Sequence, residues 1–204
     1  MNKSHLQYHW WKYASVLIVS VILWCSVFNS LAKPAQNECL NILFVGDGLN
    51  AEHMKETVET KLLQLTEQNV KQIKVSQLSI SGQDLLQVLQ SRFYEYDLVI
   101  ISQSYMQDNM GGALYYECMK STLCERFADY DFYAEIGQDD AALYGVQLMT
   151  GRGAFWDFYN GSEICYCFPS PNSVNFAGLN GKGNQNDNCA LVIMEYLIKG
   201  ENAS

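Results

Sequence analysis

Two short polar stretches of this 204-residue chain carry side chains suited to binding a ligand. Each follows an apolar run typical of a buried strand: Gly46-Asp47-Gly48 follows residues 40–45, and residues 102–105 follow residues 97–101. In α/β folds, ligands bind beyond the carboxyl ends of parallel strands, beside the amides of a following helix. We therefore predict one binding site at this edge of a sheet. Its expected contacts are Asp47, Gly48, Gln103, Ser104 and Tyr105.

The first polar stretch is similar to the Gly-Asp-Ser-Leu block of the SGNH-type esterases. Here it reads Gly46-Asp47-Gly48-Leu49, so a glycine stands where that family has its nucleophilic serine. The last histidine of the chain is His53, so the downstream Asp-x-x-His pair of the family has no counterpart. Catalysis of this type needs both a nucleophile and a base. No catalytic residue is predicted, and a degenerate SGNH-like hydrolase domain is kept as an alternative.

No metal ion or other cofactor is predicted. The acidic clusters at residues 129–131 and 139–140 lack the spaced oxygen ligands and the turn glycine of a calcium-binding loop. Structural zinc sites use closely spaced pairs of cysteine or histidine on both sides, and this spacing does not occur here.

The elements that must position the polar stretches alternate between strand and helix periodicity. Residues 40–45 and 97–101 are apolar runs typical of buried strands, and residues 70–80 are a further predicted strand in which Ile73, Val75 and Leu78 are apolar. A helix capped by Asn50 and a helix over residues 84–93 separate the three strands. The apolar face of the first helix consists of Met54, Val58, Leu62 and Leu65. Strands that are apolar on both faces belong to parallel sheets covered by helices. We therefore predict an α/β fold with a mainly parallel sheet, a βαβαβ start and flanking helices.

The second half of the chain is less regular. Residues 144–149 and 164–168 are expected to be strands, and residues 169–187 a loop rich in Ser, Asn and Gly. Residues 188–199 predict a closing amphipathic helix. Its inward-facing residues are expected to be Leu191, Met194, Leu197 and Ile198.

Six cysteines follow the N-terminal apolar segment, and an even number is compatible with disulfides in an oxidising compartment. Cys118 and Cys124 are close enough in sequence to form a local disulfide, and we predict this pair. Cys165 and Cys167 would point to the same face of a strand, which disfavours a bond between them.

The chain begins with a segment long and apolar enough to cross a membrane. Residues 13–32 carry no charge, and the lead over residues 1–12 contains Lys3, Lys12 and an aromatic cluster. We predict an uncleaved single-pass helix with a cytoplasmic N-terminus; a cleaved signal segment is the alternative. Residues 33–38 form a linker, and residues 39–200 form one extracytoplasmic domain. All 22 acidic residues follow the segment, which disfavours nucleic acid as a partner.

The order of these elements resembles a known group of proteins. A lead of the type Tyr8-His9-Trp10-Trp11-Lys12-Tyr13 precedes one membrane helix, and strands follow at residues 42–46, 97–100 and 144–146. A closing helix covers residues 190–197. The pattern resembles membrane-anchored extracytoplasmic proteins of Gram-positive, often gut, bacteria of the Firmicutes type, whose outer domain is a reduced solute-binding-protein-like domain. The resemblance implies a location outside the cell membrane and supplies no catalytic residues.

The leading hypothesis is a membrane-tethered extracytoplasmic binding or assembly module. Its partners would be the membrane, through the N-terminal helix, and a small solute, a peptide or another envelope protein. The alternatives are the degenerate hydrolase domain and a structural subunit of a membrane complex.

Overall fold

The computed structural model describes residues 3–32, 38–64, 70–80, 87–88, 95–106, 126–134, 143–148, 150–170, 173 and 189–200. The chain divides into two units, Met1–Ala35 and Gln36–Ser204.

The N-terminal unit is a single helix, α1, over Lys3–Ala32. Its segment Trp10–Phe28 is apolar, unburied and long enough to cross a membrane, a property that anchors and signal sequences share. Three serine hydroxyls in this segment, from Ser15, Ser20 and Ser26, each donate to the carbonyl oxygen four residues earlier at 2.8 Å. These bonds satisfy the three hydroxyls within the helix.

The second unit contains a six-stranded sheet in its described part. The strands are β1 (Cys39–Val45), β2 (Gln72–Leu78), β3 (Leu98–Ser102), β4 (Phe132–Ala134), β5 (Leu143–Leu148) and β6 (Cys165–Pro169). Their spatial order is β2-β1-β3-β6-β5-β4. Helices α2 (Ala51–Leu63) and α3 (Cys189–Lys199) accompany them, with short 3-10 helices at Gln103–Tyr105 and Ala154–Asp157.

The α/β class is confirmed, but the sheet is mixed. β1 pairs in parallel with β2 and β3, as the βαβαβ prediction requires. β6 pairs antiparallel with β3 and β5, and β4 pairs antiparallel with β5. The expectation of a mainly parallel sheet therefore holds for the first three strands and is corrected for the rest. Apolar content indicates that a strand is buried, but it carries no information about the strand's direction.

Both faces of the central strands are buried. On one face, Leu40, Ile42 and Phe44 of β1 join a large core cluster with residues of α2 and α3. On the other face, a smaller cluster consists of Leu43, Val45, Val99, Ile101 and Phe168. Burial on both faces explains why β1 and β3 are apolar at every position except Asn41 and Ser102 rather than alternating.

The helices follow the predicted periodicity where they are described. The Asn50 side chain accepts a hydrogen bond from the His53 amide at 3.2 Å and so caps α2 as expected. The predicted inward residues of α2 and α3 are buried, namely Met54, Val58, Leu62, Leu191, Met194, Leu197 and Ile198. Leu65 lies outside the described residues, and of the helix predicted over 84–93 only residues 87–88 are described, both helical.

Candidate functional site

The predicted site lies beside β1, at the point where the chain places its next two strands on opposite sides of β1. From β1 the chain first adds β2 on one side and then places β3 on the other side of β1. The carboxyl ends of β1 and β3 are therefore neighbours at a topological switch point, the place where open α/β sheets bind ligands. We call residues 46–50 and 102–106, which follow these two strands, the β1–β3 edge.

One side-chain hydrogen bond crosses this edge. The Tyr105 hydroxyl donates to Asp47 Oδ2 at 2.6 Å. The Asp47 side chain is exposed, whereas Tyr105 is half-buried against the smaller core cluster. Sequence reasoning placed both residues at one edge of the sheet, and the structure brings them into direct contact.

Hydrogen bonds shift the pKa values of this pair in opposite directions. The pKa of Asp47 is lowered, first by a hydrogen bond from the Ser79 hydroxyl and second by the bond from Tyr105. The pKa of Tyr105 is raised, mainly by its hydrogen bond to Asp47. The Ser79 hydroxyl also lies 3.3 Å from the Gly46 carbonyl oxygen, and its single proton serves one acceptor at a time. Asp47 is thus an ionised acceptor at neutral pH.

Glu163 is a further member of the edge that sequence reasoning missed. The Ser102 hydroxyl donates to its carboxylate, and the Ser104 hydroxyl donates to Glu163 Oε2 at 2.5 Å. These two bonds, in that order, lower the pKa of Glu163. Because β6 is antiparallel to β3, the residues before β6 reach the edge where β3 ends. An acidic residue before an apolar run was visible in the sequence, but its position depends on the strand direction.

Gly48 and Gln103 help to shape the edge through their backbones. The Gly48 carbonyl oxygen accepts from the Asn160 amide at 2.9 Å, and the Gln103 amide donates to the Ile164 carbonyl oxygen at 2.8 Å. Of the five predicted residues, Asp47, Ser104 and Tyr105 form side-chain hydrogen bonds at the edge. The Gln103 side chain is exposed. Their role in binding stays a prediction.

Gly46 allows the two strand ends to approach each other. Its φ is 149°, and a Cβ atom built there would lie 2.9 Å from both the Phe44 ring and the Ser102 Cβ. A larger residue would therefore push against the end of β3.

The aromatic stretch near Trp156 belongs to the core. Phe155, Phe158 and Tyr159 are buried, and the Phe44 ring lies 6.1 Å from Phe155 and 5.6 Å from Tyr159 between centroids. Burial raises the pKa of Tyr159 to about 12 and that of the Cys165 thiol to about 12. This stretch therefore packs the domain rather than presenting a stacking surface.

A groove of about 330 Å³ lies on other residues, along α2 and against α3. Its lining consists of His53, Glu56, Thr57, Thr60, Lys61, Gln64 and Tyr196. The Lys61 ammonium lies 5.2 Å from the Tyr196 ring centroid and covers that aromatic surface. Most of this lining comes from α2, which is typical of the shallow groove between two packed helices. The β1–β3 edge is the better candidate because polar groups from three separate strand ends converge there.

Neither a metal site nor a disulfide forms within the described part of the chain. Residues 3–32, 38–64 and the other described ranges contain no group of three or more His, Cys, Asp or Glu able to hold a metal ion. The described cysteines Cys25, Cys39, Cys165, Cys167 and Cys189 form no disulfide. Cys165 and Cys167 are both buried in the large core cluster, on one face of β6 as predicted. The predicted pair Cys118 and Cys124 lies outside the described residues and stays a prediction.

No protein-family model, curated protein or solved structure matches this chain. Its function is therefore inferred from the chemistry of its own residues.

Proposed function

We propose that this chain is a membrane-tethered extracytoplasmic binding module whose β1–β3 edge binds a small, hydrogen-bond-donating solute. One observation carries the proposal: the Asp47 carboxylate and the Tyr105 hydroxyl meet at 2.6 Å across a topological switch point. Switch points are the usual ligand sites of open α/β sheets.

The charge of the edge supports this ligand class. Asp47 and Glu163 are exposed, and hydrogen bonds lower the pKa of each, so both are acceptors at neutral pH. Among the described residues of the edge and the neighbouring segment 158–164, none is Lys or Arg. A ligand with hydroxyl or ammonium hydrogens complements these carboxylates, whereas a phosphate or a carboxylate is repelled. Moreover, the Asn50 side chain already bonds the His53 amide at the start of α2, which reduces the capacity of this helix end for anions.

The proposed location rests on α1. Its apolar segment Trp10–Phe28 would anchor the chain in the cell membrane as a single-pass helix. Lys3 and Lys12 favour a cytoplasmic N-terminus by the positive-inside rule, with the α/β domain on the outer face. A reduced solute-binding-type domain tethered in this way would hold its solute close to the cell surface.

A second candidate, hydrolysis, is favoured by one contact. Ser104 Oγ lies 2.5 Å from Glu163 Oε2, the reach of a nucleophile and its base. However, hydrogen bonds from Ser102, from the Ser104 hydroxyl and from the Ser104 backbone lower the pKa of this carboxylate. A carboxylate with a lowered pKa is a weak base at neutral pH. We therefore interpret Glu163 as holding the turn at Gln103–Tyr105 and rank binding above hydrolysis.

Titration calorimetry on the full chain in detergent micelles tests the proposal. The probes are sorbitol, putrescine and succinate, which differ in donor character and charge. We expect sorbitol or putrescine to bind and succinate not to bind. Asp47→Ala should weaken binding severalfold, whereas Asp129→Ala, at an exposed aspartate before β4, should leave it unchanged.

Two outcomes would contradict this assignment. Equal binding by the wild type and Asp47→Ala would place the site elsewhere. Turnover of p-nitrophenyl acetate that is lost in Ser104→Ala would favour the hydrolase instead.

A further inference from the structure

The Tyr105–Asp47 hydrogen bond joins two segments that belong to different strand ends. Asp47 lies in the connection from β1 to α2, and Tyr105 ends the short helix after β3. The described residues of these two segments share this one side-chain hydrogen bond, at 2.6 Å. The bond therefore lies directly across the edge where the ligand is proposed to bind.

Each segment is held in place independently of this bond. On the β1 side, the Gly46 amide donates to the Leu78 carbonyl oxygen and the Asn50 amide to the Phe158 carbonyl oxygen, at 2.9 and 2.8 Å. On the β3 side, Glu163 holds Ser102 and Ser104. Breaking the bond between Tyr105 and Asp47 would thus leave both segments anchored.

Asp47 also has a substitute donor. The Ser79 hydroxyl, at the end of β2, is the largest contributor to its lowered pKa. The Tyr105 ring also packs against the smaller core cluster, a contact that does not depend on the hydrogen bond of its hydroxyl. The closed arrangement and an arrangement without the bond therefore differ by one hydrogen bond at an exposed position, which is a small free-energy difference.

We propose that Tyr105 is a gate: its hydroxyl occupies Asp47 in the ligand-free protein, and a hydroxyl or ammonium group of the ligand replaces it on binding. This inference rests on the proposed binding function. The gate lowers the affinity for every ligand by the cost of opening, because the binding-competent state is only a fraction of the population.

Hydrogen exchange on the full chain in detergent micelles tests the gate without a ligand. Tyr105→Phe keeps the ring and removes the donor. We expect exchange of the amides of residues 103–106 to become about fivefold faster, since the turn loses one restraint while Glu163 still holds it at the edge. Tyr96→Phe is the matched control, because Tyr96 packs against the same cluster at the other end of β3. Equal exchange in Tyr105→Phe and the wild type would overturn the gate.

Calorimetry with sorbitol and putrescine then tests the role of Tyr105 separately from the proposed binding site at Asp47. If the gate exists, Tyr105→Phe binds the probe about fivefold more tightly than the wild type, and Asp47→Asn weakens binding in both backgrounds. Equal affinity of the wild type and Tyr105→Phe overturns the gate and leaves the site standing. If Asp47→Asn binds the probe as tightly as the wild type, the proposed function is wrong. The hydrogen-exchange result still decides whether the Tyr105–Asp47 bond restrains the edge.

Discussion

Ser173 donates a hydrogen bond from its hydroxyl to the buried carboxylate of Asp97, which precedes β3. The other carboxylate oxygen, Oδ2, accepts from the Asn41 amide of β1 at 2.8 Å. This carboxylate thus connects two neighbouring strands and a later segment, at the end of the sheet opposite the β1–β3 edge.

Asp97→Ala should destabilise the domain by about 2–3 kcal/mol, because it removes the carboxylate that accepts from the half-buried Asn41 amide and the buried Ser173 hydroxyl. Urea unfolding followed by near-ultraviolet circular dichroism measures this change. Asp129→Ala removes an exposed carboxylate and is the control. A similar midpoint for the two variants would show that the Asp97 carboxylate contributes nothing to stability.

The domain should lose stability in acid partly through Glu163. Its pKa in the folded protein lies below the ordinary value of 4.5, because of hydrogen bonds from Ser102 and Ser104. A group of this kind contributes stability that is fully present above pH 4.5 and is lost as the pH falls through the lowered pKa. We expect the melting temperature of Glu163→Gln to fall less than that of the wild type between pH 6 and pH 3, chosen to bracket this window. Parallel melting curves would argue against the hydrogen bonds to Glu163.

The Cys165 thiol should resist alkylation in the folded protein. It is fully buried, and burial raises its pKa to about 12, so the reactive thiolate is scarce near neutral pH. Iodoacetamide at mildly alkaline pH, followed by peptide mass spectrometry, should label Cys165 only after denaturation. Rapid labelling of Cys165 in the native protein would mean that β6 opens readily.

Gly46→Ala should cost about 1–3 kcal/mol and displace the edge, because the new Cβ meets the Phe44 ring and the Ser102 Cβ at 2.9 Å. Gly151→Ala is the matched control: Gly151 also has a positive φ, of 76°, but a Cβ there meets nothing within 4 Å. The difference between the two unfolding free energies gives the cost of the Cβ contacts at Gly46 together with that of its more strained φ of 149°. If Gly151→Ala costs as much, backbone strain alone accounts for the effect.

The full chain should require detergent for extraction from membranes, because the Trp10–Phe28 segment of α1 is apolar and unburied. On intact cells, protease should cut the domain after the linker at residues 33–38. A mature protein in the culture medium that starts near Lys33 would identify the segment as a cleaved signal.

Local periodicity was sufficient to predict the elements that border the candidate site. β1 and β3 come from apolar runs with turn residues after them, and β2 from a stretch with apolar residues at Ile73, Val75 and Leu78. The Asn50 cap marks the start of α2. Since β1 and β3 are parallel neighbours, the polar residues that follow them meet at one edge, and this placed Asp47 and Tyr105 together.

Two features could not be obtained in this way. The direction of β6 depends on long-range pairing with β3 and β5, so the position of Glu163 was not accessible from local sequence. The strand β4 is only Phe132–Ala134, too short to show a period of its own. Both omissions concern the antiparallel half of the sheet.

Because β6 runs antiparallel to β3, the polar groups of the β1–β3 edge come partly from a turn outside the sheet. Ser102 pairs with Cys165 inside the sheet, while Glu163 stands two positions outside that register and is exposed. Substitutions or insertions in the exposed turn before β6 would therefore alter the charge of the edge while the buried ladder keeps its pairing. A descendant of this chain could change the polar groups presented at this edge through that turn alone, with no change in the residues that fold the domain.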